Sequence, residues 1–171
     1  EEFFDEDGIK GFVTMMNEGR TALHKDVVYF QAAVEDIVDV ECALQYHDGY
    51  SETVVCFANN IHTPAGGTHL TGFRSALTRV LNQVARREGQ LKENAAAPTG
   101  DDVREGLTAV VSVKVPNPQF EGQTKAKLGN PEIEGATERV CNDGLTEYFD
   151  SHINVAKTII GMPSLRLIRE P

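Results

Sequence analysis

Between Thr68 and Arg87, the residues Leu70, Phe73, Leu77, Val80, Leu81 and Val84 share one stripe at the i, i+3, i+4, i+7 spacing of an amphipathic helix. A helix with one apolar stripe needs a layer to pack on, and the flanking sequence supplies it. Upstream, Val38, Val40, Cys42, Leu44 and Tyr46 alternate with Asp39, Glu41 and Gln45, the period of a strand with one buried and one wet face. His47-Asp48-Gly49 reads as a turn and Thr53–Ala58 as the next strand, so the two are expected to form an antiparallel hairpin. In that hairpin Tyr50-Ser51-Glu52 supplies packing and a solvated carboxylate. Downstream, Leu107, Ala109, Val111, Val113 and Val115 alternate with Thr108, Ser112 and Lys114. The fold class this predicts is α+β, with helices on one face of a mostly antiparallel sheet.

The remaining segments fit that plan. Ile9, Phe12, Val13 and Met16 predict a short amphipathic helix over Asp7–Asn17, and Val27–Phe30 is β-prone. The acidic residues 1–7 read as a connection. Glu88–Pro98 is polar and alanine-rich and reads as a mobile loop. Thr99-Gly100-Asp101-Asp102 offers caps to a helical turn. A long helical pattern runs over Glu132–Ile160, with Asn142-Asp143-Gly144 as its expected break.

A chain of 171 residues suits one domain with a real core. Its formal charge of −10 argues against a general nucleic-acid coat, because nonspecific DNA affinity comes from phosphate neutralisation by Lys and Arg. Any DNA contact must be a local patch. The helix over Thr68–Arg87 offers one: Arg79 and Arg86 lie opposite its apolar stripe, with Arg74 on the flank. The three cysteines, Cys42, Cys56 and Cys141, are widely spaced without a CxxC pair and read as reduced, buried thiols of a cytoplasmic protein. His62 and His69 have no carboxylate or thiol at ligand spacing, so no metal site is expected. No apolar run approaches the roughly 20 residues of a membrane span.

The stretch Glu121-Gly122-Gln123-Thr124-Lys125-Ala126-Lys127-Leu128-Gly129-Asn130 follows the strand at 107–115 and lacks apolar periodicity. Two glycines bracket it and two lysines fall within it, which describes an exposed loop on a rigid root. A lysine at such a tip is a mobile point charge suited to a phosphate.

Several long motifs then recur in register. Tyr50-Ser51-Glu52, Phe57-Ala58-Asn59-Asn60-Ile61, Gly66-Gly67-Thr68-His69-Leu70-Thr71-Gly72-Phe73-Arg74, Thr99-Gly100-Asp101-Asp102-Val103-Arg104-Glu105-Gly106-Leu107 and Gln123-Thr124-Lys125-Ala126-Lys127-Leu128-Gly129 together resemble the transducer domain of the bacterial type IIA topoisomerase ATPase subunit. The likeness covers roughly residues 8 to 160 and takes in the B subunit of gyrase and its topoisomerase IV counterpart. It implies a fold like domain 2 of ribosomal protein S5, with an unusual left-handed βαβ crossover. On this resemblance residues 1–160 are the transducer domain and 161–171 a divergent tail, where Pro163 disfavours a helical continuation.

The resemblance also implies a role. Gln123 and Lys125 would reach the γ-phosphate of ATP held by a preceding domain, with Lys125 the catalytic group, and Arg74, Arg79 and Arg86 would line the cavity that holds transported DNA. Implied partners are DNA, the preceding ATPase domain, the topoisomerase A subunit and a second copy of the gyrase B-type subunit that dimerises on ATP binding. ATP and Mg2+ would sit mainly in the preceding domain, which like the metal-binding (TOPRIM) cleavage domain is not expected within these residues. Other readings are a nucleotide-independent module of the same fold that binds nucleic acid or protein, and the related middle region of a mismatch-repair or chaperone ATPase. Net acidity argues against RNA, and the surroundings of Gly122-Gln123-Thr124-Lys125 argue against the last. With no phosphate-cradling glycine loop opening a helix, the purified chain is expected to show neither ATP turnover nor relaxation of supercoiled plasmid. Turnover that co-purifies with the protein would defeat this.

Overall fold

The computed structural model describes residues 8–35, 38–89, 99–121 and 125–161. In chain order the elements are α1 (Gly8–Met16), β1 (Val28–Val34), β2 (Val38–Tyr46), β3 (Thr53–Ala58), β4 (Ile61–His62), α2 (Thr68–Arg87), α3 (Gly100–Arg104), β5 (Leu107–Lys114), β6 (Phe120–Glu121), β7 (Lys127–Leu128), α4 (Pro131–Ser151) and α5 (Ile153–Ile160). The expectations placed on residues 1–7, on the polar loop beyond Gly89 and on the tail after Gly161 fall mostly or wholly outside the described residues.

The main sheet is ordered β1-β2-β5-β3-β4, and β6 pairs with β7 in a separate two-stranded ribbon. β1–β2, β2–β5 and β3–β4 are antiparallel, whereas β3 and β5 run parallel. The sheet is therefore mixed and mostly antiparallel, as expected. The β2–β3 hairpin is not present, because β5 lies between those two strands. The physical reason is burial. Seven of the eight residues of β5 are buried, and a strand buried on both faces belongs at the sheet centre. The turn after β2 serves β5 instead: His47 N–H donates to Gly106 O at 2.8 Å, and Tyr46 pairs with Leu107. The parallel β3–β5 pair requires a crossover, which α2 supplies.

α2, α4 and α5 cover one face. Cys42, Leu44, Tyr46, Ala109 and Val111 meet Phe73, Leu77, Leu81, Leu145, Phe149 and Ile159 there. The expected wet face is not wet. α1 packs on the other side, with Ile9 and Val13 against Ala43, Phe57 and Val110. Gln45 and Thr108, the polar positions of the alternation, are buried beneath it. They are satisfied by one another's neighbours: Thr108 Oγ1 donates to Asn17 Oδ1 at 2.6 Å, Asn17 Nδ2 to Gln45 Oε1 at 2.9 Å, and Gln45 Nε2 to His24 O at 2.9 Å. A closed polar network of this kind removes the penalty of burying amides and hydroxyls.

The long C-terminal helix does break, but at His152 rather than at 142–144. His152 leaves helical geometry at φ −132°, ψ 60°, and its ring stacks on Tyr148 with centroids 4.1 Å apart. Gly144 lies inside α4 for a different reason: a Cβ there would collide with the Phe30 ring. The same device joins α2 to α4. A Cβ on Gly72 would strike the Glu134 carbonyl, so the glycine sets how closely the two helices approach. Gly135, on the exposed side of α4, meets nothing within 4 Å. Gly135→Ala should therefore stabilise by about 0.5–1 kcal/mol, as replacing a helical glycine ordinarily does. Gly72→Ala should reverse the sign and cost about 1–3 kcal/mol through overpacking. Urea unfolding of both variants checks the pair, and equal effects would refute the close-approach role of Gly72.

Candidate functional site

The Lys125 loop is the tip of the β6–β7 hairpin, in which Phe120 pairs with Leu128 and Glu121 with Lys127. Its root is fixed by side chains that are themselves buried. Leu128 is fully buried among Val40, Ala58, Val113 and Ile133. Asn130, 2% exposed, accepts from Gln119 N–H at 2.5 Å and donates to Asn117 O and Glu132 Oε2, both at 3.0 Å. On the other side of the excursion, Asn59 clamps the end of β5: its Oδ1 accepts from Val115 N–H at 2.8 Å and its Nδ2 donates to Val115 O at 3.0 Å. Asn59 holds a left-handed backbone, φ 52°, a conformation that asparagine tolerates. Sequence reading placed Asn59 in a loop and gave neither asparagine a role. The signal available was modest: an Asn-Asn turn and an Asn-Pro helix start.

The hairpin is bolted to the start of α2. Ala65 N–H donates to Ala126 O at 2.8 Å, Leu128 N–H donates to Gly66 O at 3.0 Å, and Gly67 bridges Leu128 in parallel. Gly67 sits at φ 135° and a Cβ there would collide with the Leu128 backbone, so glycine is required at this junction. It is also the N-cap of α2 and offers no side-chain cap to the helix. Behind the junction His69 is fully buried, with Nε2 3.2 Å from Thr63 Oγ1.

Lys125 is exposed and itself in the left-handed region, φ 56°, with its ammonium 6.0 Å from the Phe120 ring centroid. Lys127 pairs with Glu121 at 3.9 Å. Gln123 lies outside the described residues, as do Gly122 and Thr124. Among the described residues no group of three or more His, Cys, Asp or Glu is placed to hold a metal ion, and no helix is long and apolar enough to cross a membrane. The three cysteines are free and buried.

The arginines of α2 are not a bare basic face. Arg74 is half-buried and its Nη2 lies 3.0 Å from Glu52 Oε2. Arg79 pairs with Glu138 of α4, and Arg87 with Glu88 and Asp150 at 3.3 and 2.9 Å. Arg86 is exposed near the far end of the helix. Glu52, expected to be solvated, holds two arginines: Arg104 Nε is 3.1 Å from the same Oε2. A hairpin lysine loop docked on the N-terminus of a crossover helix that carries arginines is the local arrangement, set on an α+β sandwich.

That architecture is found in the ATPase region of gyrase B proteins. A crystal structure of the 43K ATPase domain of Thermus thermophilus gyrase B in complex with an aminocoumarin superposes with a TM-score of 0.88 at 40% identity, covering 99% of this chain and 45% of that one. The B subunit of DNA gyrase from Clostridium acetobutylicum is 48% identical over 158 residues, 92% of this chain and 25% of that protein. Its counterpart from Streptococcus pneumoniae is 50% identical over 155 residues, 91% and 24%. The family model for DNA gyrase B matches residues 8–163. The chain belongs to the DNA gyrase B family, and it spans about a quarter of the length of these relatives.

Burial lowers the pKa of His69 from 6.5 to about 4, and lowers that of His24, whose Nε2 accepts from Tyr46 N–H. Unfolding lets both imidazoles take up protons near pH 6.5, so the unfolded state binds more protons than the folded one between about pH 6.5 and 4. Stability should be full above that window and fall as pH drops through it, with His69 contributing on the order of 2–3 kcal/mol. Urea midpoints from about pH 7.5 to 4.5 should show this slope and His69→Gln should flatten it. An unchanged slope would place His69 outside the acid response.

Proposed function

We propose that this chain is the transducer segment of the ATPase-bearing subunit of an ATP-driven type II DNA topoisomerase. Lys125, assisted by Gln123, senses the terminal phosphate of ATP held by a neighbouring domain, and the signal reaches DNA through α2. The observation that carries this reading is mechanical. The lysine hairpin is hydrogen-bonded to Gly66 and Ala65 at the head of α2, and the same helix bears Arg74, Arg79 and Arg86. A helix of 20 residues is a rod about 30 Å long, so a shift at its head is delivered along its length.

The residues present fit a phosphate. Lys125 offers an exposed ammonium on a tip whose root cannot drift, because Leu128 and Asn130 are buried. ATP supplies the anionic γ-phosphoryl group and the free energy of its transfer. Lys125 donates to an oxygen of that group and neutralises charge as the bond to it lengthens, and Gln123 adds a neutral donor. A contact made only with nucleotide present biases the orientation of this domain against its neighbour. Mg2+ is assigned to the neighbouring nucleotide site. The further partners on this reading are DNA, the topoisomerase A subunit and a second copy of the same ATPase subunit joined on ATP binding.

A charge-assisted hydrogen bond to phosphate in a partly dried site contributes roughly 1.5–3 kcal/mol. In the full-length subunit Lys125→Ala should slow ATP hydrolysis by about ten- to a hundredfold while nucleotide affinity falls less, and Gln123→Ala should be milder. Turnover and affinity are measured separately. Normal turnover in Lys125→Ala would remove the lysine from the nucleotide site.

A further inference from the structure

Glu52 occupies an unusual position for a carboxylate beside a candidate DNA-binding helix. It stands at the entry to β3, between Arg74 on α2 and Arg104 at the end of α3. One oxygen, Oε2, lies 3.0 Å from Arg74 Nη2 and 3.1 Å from Arg104 Nε. Arg104 Nη2 is also 2.7 Å from Asp101 Oδ1, a carboxylate with 93% of its side chain exposed. Arg104 is held where it is by a short capped helix: Thr99 Oγ1 accepts from Asp102 N–H and the Asp102 carboxylate accepts from Thr99 N–H.

The arrangement is a pair of guanidiniums converging on one anionic oxygen. A phosphodiester oxygen is an anionic acceptor of the same kind and can take the same charge-assisted donors. The site is not saturated. Arg74 Nε is buried without an acceptor among the described residues, and Arg104 Nε is near Glu52 but out of hydrogen-bonding alignment. The Arg74–Glu52 pair, 38% and 27% exposed, is weak and screened by salt, so an incoming anion with more oxygens can displace the carboxylate from Arg74; Arg104, 14% exposed, is the more buried of the two guanidiniums.

We propose that Glu52 is an internal stand-in for a DNA phosphate, which occupies Arg74 and Arg104 until a duplex displaces it and so keeps the contact weak and reversible. This rests on the reading of Arg74 as a DNA contact. With Glu52 and Asp101 in place the four side chains sum to zero charge, and phosphate gains only what it takes from the carboxylates. The device suits an acidic chain, net charge −10, whose DNA must arrive and leave rather than stay.

The test uses this chain with a fluorescein-labelled duplex of about 20 base pairs, titrated by anisotropy from about 50 to 200 mM salt. Glu52→Gln keeps the size and removes the charge. It should tighten binding about three- to tenfold at the lowest salt, the effect of one unit charge near a phosphate, and steepen the salt dependence by about one released ion. Arg74→Gln should weaken binding, and adding it to Glu52→Gln should abolish most of the gain. A structural role for Glu52 would lower melting temperature without moving the salt slope. If Arg74→Gln weakens binding while Glu52→Gln leaves affinity and slope at wild type, the stand-in role is overturned and the DNA reading of Arg74 survives. If Arg74→Gln changes nothing, that reading falls and this one with it.

Discussion

β5 is buried on both faces, and that double burial determines where the rest of the chain can go. A strand whose residues 107 to 113 are all hidden must have layers above and below it and a neighbour on each side. β2 takes one side antiparallel and β3 the other in parallel. The parallel pairing forces a crossover, and the crossover is α2. The lower face is closed by α1, whose seat depends on Asn17, Gln45 and Thr108 satisfying one another. Remove the requirement that β5 be central and neither the crossover nor the buried polar network has a reason to exist.

The same strand supplies the root of the excursion that carries Lys125. Asn59, at the turn after β3, grips Val115 at the exit of β5, and Asn130 closes the excursion on its return. Between those clamps the β6–β7 hairpin leans on Gly66 and Gly67. Glycine is needed at position 67 because the hairpin backbone passes where a Cβ would be. A loop anchored this way is held at its base and presents Lys125 to solvent. On the proposed function that combination lets a small displacement at Lys125 act on α2 rather than dissipate in the loop.

Four of the arginines are balanced locally by carboxylates. Arg74, Arg79, Arg87 and Arg104 each face a carboxylate from another part of the fold or from a neighbouring turn. A helix with several arginines therefore does not make a strongly positive surface. On the proposed function, DNA contact on such a surface is a competition between phosphate and carboxylate, which favours transient over lasting contact.

Much was written in local pattern. The stripe from Leu70 to Val84 fixed α2 at Thr68–Arg87, and the alternation from Leu107 fixed β5, because a period of 3.6 or 2 is a property of neighbouring residues alone. The stretch around Lys125 read as loop throughout, yet Lys127–Leu128 form β7 and both Leu128 and Asn130 are buried; the motifs that placed the chain in its family were legible. Strand pairing was not. Tyr46 and Thr53 are close in sequence, yet their strands are separated by one that arrives some fifty residues later, since sheet order answers to burial and not to proximity. The inward turn of Gln45 and Thr108 also escaped, because a polar residue looks wet until its partner from a distant segment is seen. Glu52 is the same case: in sequence it is a solvated carboxylate, and only the packing of β3, α2 and α3 brings Arg74 and Arg104 to one of its oxygens. Periodicity and turn chemistry belong to the sequence. Which polar groups meet is decided by tertiary structure, because a hydrogen bond or ion pair depends on distances of about 3 Å that no local pattern encodes.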